Sequence, residues 1–139
     1  MPIHYFYEQI DFKIKNPRKS SIWIALVAKA EKKEIGDLTY VFCSDDYLLS
    51  LNQQFLKHNT LTDIITFDYS EGKNELSGEI YISIDRVADN AAKFKTDFQD
   101  ELHRVMIHGV LHLAGYKDKK PAEKALMRKK EEACLSLRK

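Results

Sequence analysis

The chain has 139 residues, of which 44% are hydrophobic and 31% are charged. This balance excludes an intrinsically disordered or fibrous protein and predicts one globular domain, residues 1–139, with a core that needs no disulfides. The formal net charge of +1 is too small to indicate, by itself, a nucleic-acid-binding protein.

Cysteine usage and hydropathy predict a soluble, cytoplasmic protein. Cys43 and Cys134 are too few and too far apart for a disulfide framework or a cysteine metal site, so we expect two reduced thiols. The longest apolar run, residues 22–28, is far shorter than the ~20 residues that cross a bilayer. Residues 1–11 lack the basic start and apolar core of a signal peptide.

The first third of the chain predicts two short β-prone stretches, a helix and a strand. Residues 3–6 and 10–14 are β-prone, and Asn16 before a proline is typical of a helix start. Apolar residues then recur at helical spacing, and Gly36 is expected to end the helix. A strand is predicted for residues 38–43.

The middle of the chain predicts one helix and two strands. Ser44 is expected to cap a helix over residues 45–56. Residues 62–69 and 79–84 are rich in β-branched and aromatic residues, which favours strands, and Gly78 is assigned to the loop between them.

The last third of the chain predicts three helices. Asp85 is expected to cap the first, which ends near Lys95, and Thr96 with the glutamine three positions on resembles a capping box that opens a helix over residues 97–114. Pro121 is expected to begin the third. Together these elements indicate an α+β fold, or a mixed-sheet α/β sandwich, in which a small mixed β-sheet of about four strands packs with about five helices.

Two histidines in the predicted central helix suggest a metal site. His108 and His112 are four residues apart, so their side chains share one helix face and can reach one ion. Gly115 suits the left-handed position that ends a helix, and the chain reversal there can return Asp118 to the same ion. The spacing H-x3-H-x2-G-x2-D therefore predicts three ligands for one divalent ion, with zinc the expected ion, on the central helix and the loop after it.

The alternative is that both histidines are buried and simply hydrogen-bonded, because the residues around them are apolar on nearly every side. Four ring nitrogens then need four separate partners. A metal ion together with outer acceptors satisfies them more economically, so we favour the metal site.

Three protein ligands leave a fourth position open, which is typical of catalytic zinc and predicts hydrolysis by a metal-coordinated water. Gly109 occupies the position at which the zinc protease motif has its glutamate base. A metallopeptidase-like hydrolase stays an alternative, but this glycine makes it the less favoured one.

Positive charge is concentrated at the C-terminus. Residues 117–139 contain nine lysines or arginines against four acidic residues, whereas the preceding chain is net acidic. A solvated helix face is the simplest interpretation. If the substrate is RNA, we expect sequence-independent affinity from four side chains of the last helix: Lys124, Arg128, Lys129 and Lys130.

Three ordered motifs resemble one protein family. Residues 62–67 read TDIITF, residues 78–83 read GEIYIS and residues 108–118 read HGVLHLAGYKD, a series similar to that of the bacterial YbeY family. The resemblance implies a metal-dependent, single-strand-specific endoribonuclease that acts in rRNA maturation, including 16S rRNA 3′-end processing, and in ribosome quality control. Single-stranded RNA or rRNA and the small ribosomal subunit or its associated proteins are the implied partners.

The chain departs from the family pattern at two positions. Asp118 stands where the family has a histidine ligand, so coordination is expected to continue through an oxygen donor. Leu56 stands where the family has an arginine that is expected to contact RNA phosphate. Lys57 and His58 follow it and are weak candidates for the missing cation. This departure makes a metal-stabilised RNA-binding ribosome-assembly factor with little catalysis a further alternative.

The remaining motif residues are expected to have other roles. Glu79 is either an outer acceptor for a ligand or an exposed strand residue, and neither His4 nor His103 is expected to bind the metal. Polar residues expected to face the cleft are Thr62, Asp63 and Thr66. Apolar residues expected in the core are Ile64, Ile65 and Phe67.

Overall fold

The computed structural model describes residues 3–55, 62–72 and 74–138, and these residues form a mixed four-stranded sheet and five α-helices. The strands are β1 (Ile3–Glu8), β2 (Glu34–Cys43), β3 (Ile64–Asp68) and β4 (Glu75–Ser83). The helices are α1 (Pro17–Ala30), α2 (Asp45–Phe55), α3 (Ile84–Phe94), α4 (Phe98–Leu113) and α5 (Pro121–Ser136). The predicted α+β fold is confirmed.

The sheet has the strand order β1-β2-β4-β3. β1 and β4 each pair in parallel with β2, and β3 pairs antiparallel with β4. The short β3 is therefore an edge strand. Because side chains alternate between sheet faces, Ile64 and Thr66 of β3 share one face with Ile80 and Ile82 of β4.

That face carries the main hydrophobic core. Buried side chains of α1, α3, α4 and α5 pack there against strand residues such as Leu38 and Ile80. The opposite face holds a smaller cluster under α2, built on Cys43, Leu48 and Ile65, with Phe67 packed against it. Ile64, Ile65 and Phe67 thus all contribute to apolar packing, as predicted, but on two different faces.

The β-prone stretch at residues 10–14 does not form a strand. Gln9 has a φ of 54°, a left-handed conformation that turns the chain away from the sheet after β1. Ile14 is then buried in the main core, and its N–H donates to the Tyr7 hydroxyl at 3.3 Å.

Two glycines have roles other than those predicted. α1 ends at Ala30, and Gly36 lies within β2, where a Cβ would come within 2.1 Å of Ser77 Oγ. Gly78 lies within β4 rather than in a loop, and a Cβ there would come within 2.2 Å of the Phe67 carbonyl oxygen. Both glycines permit close approach between neighbouring strands.

Two predicted helix caps are displaced by one or two residues. Ser44 accepts from the Tyr47 N–H at 3.1 Å, as expected. α3, however, is capped by Ser83, not Asp85, and α4 is capped by Asp97, not Thr96. Each is a short polar side chain whose oxygen reaches the N–H of a first-turn residue.

Within the described part of the chain, no helix is long and apolar enough to cross a membrane. Both cysteines, Cys43 and Cys134, are buried free thiols, and burial raises their pKa values to about 12 and about 11.

Candidate metal centre

The central helix α4 lies directly against the sheet at Gly109. A Cβ at this position would come within 2.9 Å of the Ile80 Cγ2 atom and 3.0 Å of the Ile64 Cδ1 atom. Ile80 is fully buried and cannot move aside easily. The glycine therefore brings α4 close to β3 and β4, and it leaves no space for the glutamate that a zinc protease carries at this point.

The turn after α4 returns the chain toward the two histidines. Gly115 has a φ of 109°. The N–H groups of Gly115 and Tyr116 donate to the carbonyls of His112 and Leu111, both at 3.0 Å, which is a complete Schellman motif. The predicted left-handed glycine is confirmed, and its turn allows Asp118 to approach the helix.

Three side chains predicted as ligands lie together at this turn. Asp118 Oδ2 is 3.2 Å from His108 Nε2 and 3.4 Å from His112 Nε2. One potential ligand atom from each residue lies within 4.8 Å of the others. All three side chains are partly exposed, so the group is close enough to bind one metal ion and is accessible from solvent.

The second nitrogen of each ring already has an acceptor. His108 Nδ1 lies 2.6 Å from Glu131 Oε2, and His112 Nδ1 lies 3.0 Å from the Tyr116 carbonyl oxygen. A carbonyl oxygen and an ionised carboxylate can only accept, so both Nδ1 atoms carry the hydrogen. In the neutral rings both Nε2 atoms then present lone pairs toward the Asp118 carboxylate.

Three electron-pair donors that face one another are favourable only with positive charge between them. The pKa of His108 is raised: burial lowers it, but the hydrogen bond to Glu131 and the charges of Glu131 and Asp118 outweigh burial. Two imidazoles and a carboxylate are also a donor set that suits zinc and other divalent transition metals. The residues present therefore fit a divalent ion.

Glu131 on α5 is the residue that sequence reasoning missed. It is only 6% exposed, and Arg104 Nη1 contacts its Oε1 at 3.0 Å while His108 contacts its Oε2. Burial raises the pKa of Glu131, but the hydrogen bonds from His108 and Arg104 outweigh burial and lower it. The available signal was a glutamate in helical register with Met127 and Cys134, which are also buried.

A second network holds the turn that carries Asp118. The Tyr116 hydroxyl donates to Glu31 Oε1 at 2.6 Å, and Lys130 Nζ contacts Glu31 Oε2 at 3.3 Å. The Lys130 ammonium also lies 5.3 Å from the centre of the Tyr116 ring. The turn is thereby tied to α1 and α5.

The polar residues on and beside β3 differ in their position relative to the candidate metal centre. Asp63 is close enough to the site for the charges of His108, Asp118 and Glu131 to affect its pKa, which burial raises and His108 opposes. Thr62 Oγ1 donates to the Ile64 carbonyl at 3.3 Å, and Thr66 lies on the α4 side of the sheet. Glu79 lies on the opposite face and accepts from two tyrosine hydroxyls, so the acceptor role considered for it belongs to Glu131.

The two other histidines that the structure describes lie away from the group of three. His103 packs edge-on against Trp23 with ring centres 5.7 Å apart, and His4 Nε2 lies 3.3 Å from Asp37 Oδ1 on β2. The weak catalytic candidates Lys57 and His58, with Leu56, lie outside the described residues.

Comparisons with known proteins agree on one family. The family model described as Endoribonuclease YbeY matches residues 5–138. Curated proteins named Endoribonuclease YbeY include one from Flavobacterium psychrophilum, 53% identical over 95% of this chain and 94% of its own length. Another from Cytophaga hutchinsonii is 52% identical over 99% of this chain and 96% of its own.

A solved structure has the same fold. The solution structure of a Thermotoga maritima protein superposes with a TM-score of 0.67 at 28% sequence identity, and the match covers 96% of this chain and 88% of that one.

Proposed function

The chain belongs to the YbeY endoribonuclease family, and from this membership we propose that it is a metal-dependent, single-strand-specific endoribonuclease. Its substrate is rRNA, with 16S rRNA 3′-end processing and ribosome quality control as its roles. The small ribosomal subunit or its associated proteins are its partners, and the cytoplasm is its location. Residues 1–139 act as one hydrolase domain.

The observation that carries this proposal is the convergence of His108, His112 and Asp118 on one point beside an accessible surface. We assign them as the ligands of one divalent ion, with zinc the expected one. When bound, such an ion supplies Lewis-acid stabilisation of phosphoryl charge and lowers the pKa of a coordinated water toward 7.

The protein's own residues orient this site. Glu131 fixes the His108 ring and its tautomer, and the Tyr116 carbonyl does the same for His112. The Schellman turn at Gly115 positions Asp118. These partners lie on α5 and on the turn, so both elements help to position the three ligand atoms.

The metallopeptidase alternative loses support from the packing at Gly109. A peptidase of the zinc protease type needs a carboxylate base at this position, and a side chain there would collide with Ile80.

Cleavage assays on defined RNAs test the proposal. Chelator-treated protein, reloaded with zinc, is incubated with a single-stranded RNA and with the same sequence in a duplex. We expect cleavage of the single strand only, lost with chelator and restored by zinc. Binding of RNA without any metal-dependent cleavage would instead favour the ribosome-assembly factor. In either case, mapping the 3′ ends of 16S rRNA in cells depleted of the protein tests the processing role.

A further inference from the structure

An open cavity of about 270 Å³ adjoins the candidate metal centre. Its wall includes the ligand residues His108 and Asp118 and the buried acceptor Glu131. The rest of the lining comes from α5: Lys124, Met127 and Arg128. A molecule in this cavity is therefore in contact with the surroundings of the metal ligands and with two cationic side chains.

The spacing along α5 explains this arrangement. Residues 124, 127, 128 and 131 follow one helix face at intervals of three and four. Met127 and Glu131 are buried on that face, whereas Lys124 and Arg128 are exposed and flank it. The helix thus places two cations at the edge of the cavity and an apolar residue between them.

These two cations differ from Arg104 and Lys130, whose charges are paired within the protein. Arg104 forms ion pairs with Glu131 and Glu132, and Lys130 forms one with Glu31. Among the residues that the structure describes, Lys124 and Arg128 form no side-chain hydrogen bond or ion pair. Their donors are available to an anion from outside the protein.

We propose that Lys124 and Arg128 form a phosphate-binding subsite of the metal centre, which holds a backbone phosphate of the single-stranded RNA next to the position of cleavage. The inference rests on the proposed function. Arg128 presents a planar fork that matches two phosphate oxygens, and Lys124 supplies a compact charge. Of the acidic groups of the cavity, Glu131 contacts Arg104 and His108, and Asp118 faces the two histidines, so neither forms an ion pair with these two cations in the structure.

The test compares two pairs of substitutions that remove the same charge. Lys124→Gln with Arg128→Gln alters the cavity, whereas Lys13→Gln with Lys15→Gln removes two exposed cations outside its lining. Binding of a fluorescent single-stranded RNA to the zinc-loaded protein is measured by anisotropy across a salt series, and the RNA is checked on a gel to be intact. Elemental analysis verifies the zinc content of each variant.

We expect the cavity pair to bind RNA about tenfold or more weakly with unchanged zinc content. Its plot of log affinity against log salt should be less steep by about 0.7 for each phosphate that the protein no longer neutralises. The control pair should change affinity less than about threefold. Equal losses of affinity in both pairs, no loss in either, or loss of zinc from the cavity pair would each overturn the subsite.

Cleavage by the same samples separates this inference from the proposed function. If the unmodified protein cleaves RNA and the cavity pair retains full affinity and kcat/KM, the subsite is wrong and the nuclease assignment stands. If the unmodified protein does not cleave RNA but the cavity pair still loses affinity selectively, the two residues bind RNA phosphate as proposed, without a role in cleavage, and the nuclease assignment is wrong.

Discussion

His108 and His112 each commit one ring nitrogen to a protein acceptor, which leaves the other nitrogen of each ring directed at Asp118. The two acceptors differ in kind. The Tyr116 carbonyl is part of the backbone, whereas the Glu131 carboxylate is a buried charge that depends on Arg104 and His108 for compensation. Substitution can remove the Glu131 carboxylate but not the Tyr116 carbonyl.

Glu131→Gln should weaken metal binding by about 10- to 100-fold, because the outer partner of a ligand histidine loses its charge. Competition with a chromophoric chelator measures the affinity. Glu132→Gln is the matched control, since Glu132 also pairs with Arg104, at 2.7 Å, but is exposed and contacts neither metal-site histidine in the structure. Equal metal affinity in the two variants would refute the role of Glu131.

His103 should make the folded state less stable in acid. Burial, and then the charges of Arg138 and Lys19, lower its pKa to about 4 from 6.5, while Asp97 opposes the shift. Between pH 6.5 and 4 the unfolded chain therefore binds a proton that the folded chain does not. The free energy of unfolding falls as the pH decreases through this interval. The shift corresponds to at most about 3 kcal/mol, and we expect about 1–2 kcal/mol because the ring is partly exposed.

Urea unfolding of metal-free protein at pH 7.5 and 4.5 measures this effect. His103→Phe keeps an aromatic ring against Trp23 and removes the titration, so the acid-induced loss of stability should be smaller in the variant by that amount. The same loss in both proteins would show that other groups cause it.

At the scale of elements, α5 connects the turn that carries Asp118 to the rest of the fold. Its buried residues Met127, Glu131 and Cys134 face inward, and the Cys134 carbonyl accepts from Trp23 Nε1 on α1 at 2.8 Å. Tyr116 completes the connection through Glu31 at the end of α1. The position of Asp118 thus depends on contacts with α1 and α5 as well as on α4.

Tyr116→Phe should destabilise the protein by about 1 kcal/mol, because it removes a hydrogen bond to a carboxylate. Metal affinity should fall less than it does in Glu131→Gln, by under about tenfold, since the hydroxyl acts on the turn and not on a ligand ring. Thermal unfolding with and without zinc measures both effects. The control Tyr69→Phe removes a hydroxyl hydrogen bond to Glu79 on the opposite sheet face and should leave the zinc-induced increase in Tm unchanged. An equal reduction of that increase in both variants would contradict this role of the turn.

At the scale of the whole molecule, the sequence predicted features set by local spacing better than features that depend on contacts between residues distant in sequence. Helical spacing placed His108 and His112 on one face, and Gly115 indicated the turn that brings Asp118 to them. Gly36 and Gly78 were misassigned as a helix end and a loop because what requires each glycine is a neighbouring strand that is distant in sequence.

Spacing indicated that Glu131 shares a helix face with Met127 and Cys134, but it could not show, for the same reason, which partner Glu131 contacts or which α5 cations are ion-paired. The partner that distinguishes Lys130 from Lys124 and Arg128 comes from the end of α1, and the partner that distinguishes Glu131 from Glu132 is a histidine 23 residues earlier. Such pairings arise only when the helices pack. The sequence pattern therefore predicted that the helix is basic, and the structure shows which of its cations are ion-paired.

The central claim is that His108, His112 and Asp118 hold one divalent ion. Elemental analysis of purified, zinc-reloaded protein after gel filtration tests it most directly, with His112→Ala compared against His103→Phe on the same helix. We expect one zinc per chain in the unmodified protein and in His103→Phe, and less than about a tenth of that in His112→Ala, with circular dichroism showing that all three are folded. A folded His112→Ala protein that binds zinc as tightly and in the same ratio as the unmodified chain would contradict the claim.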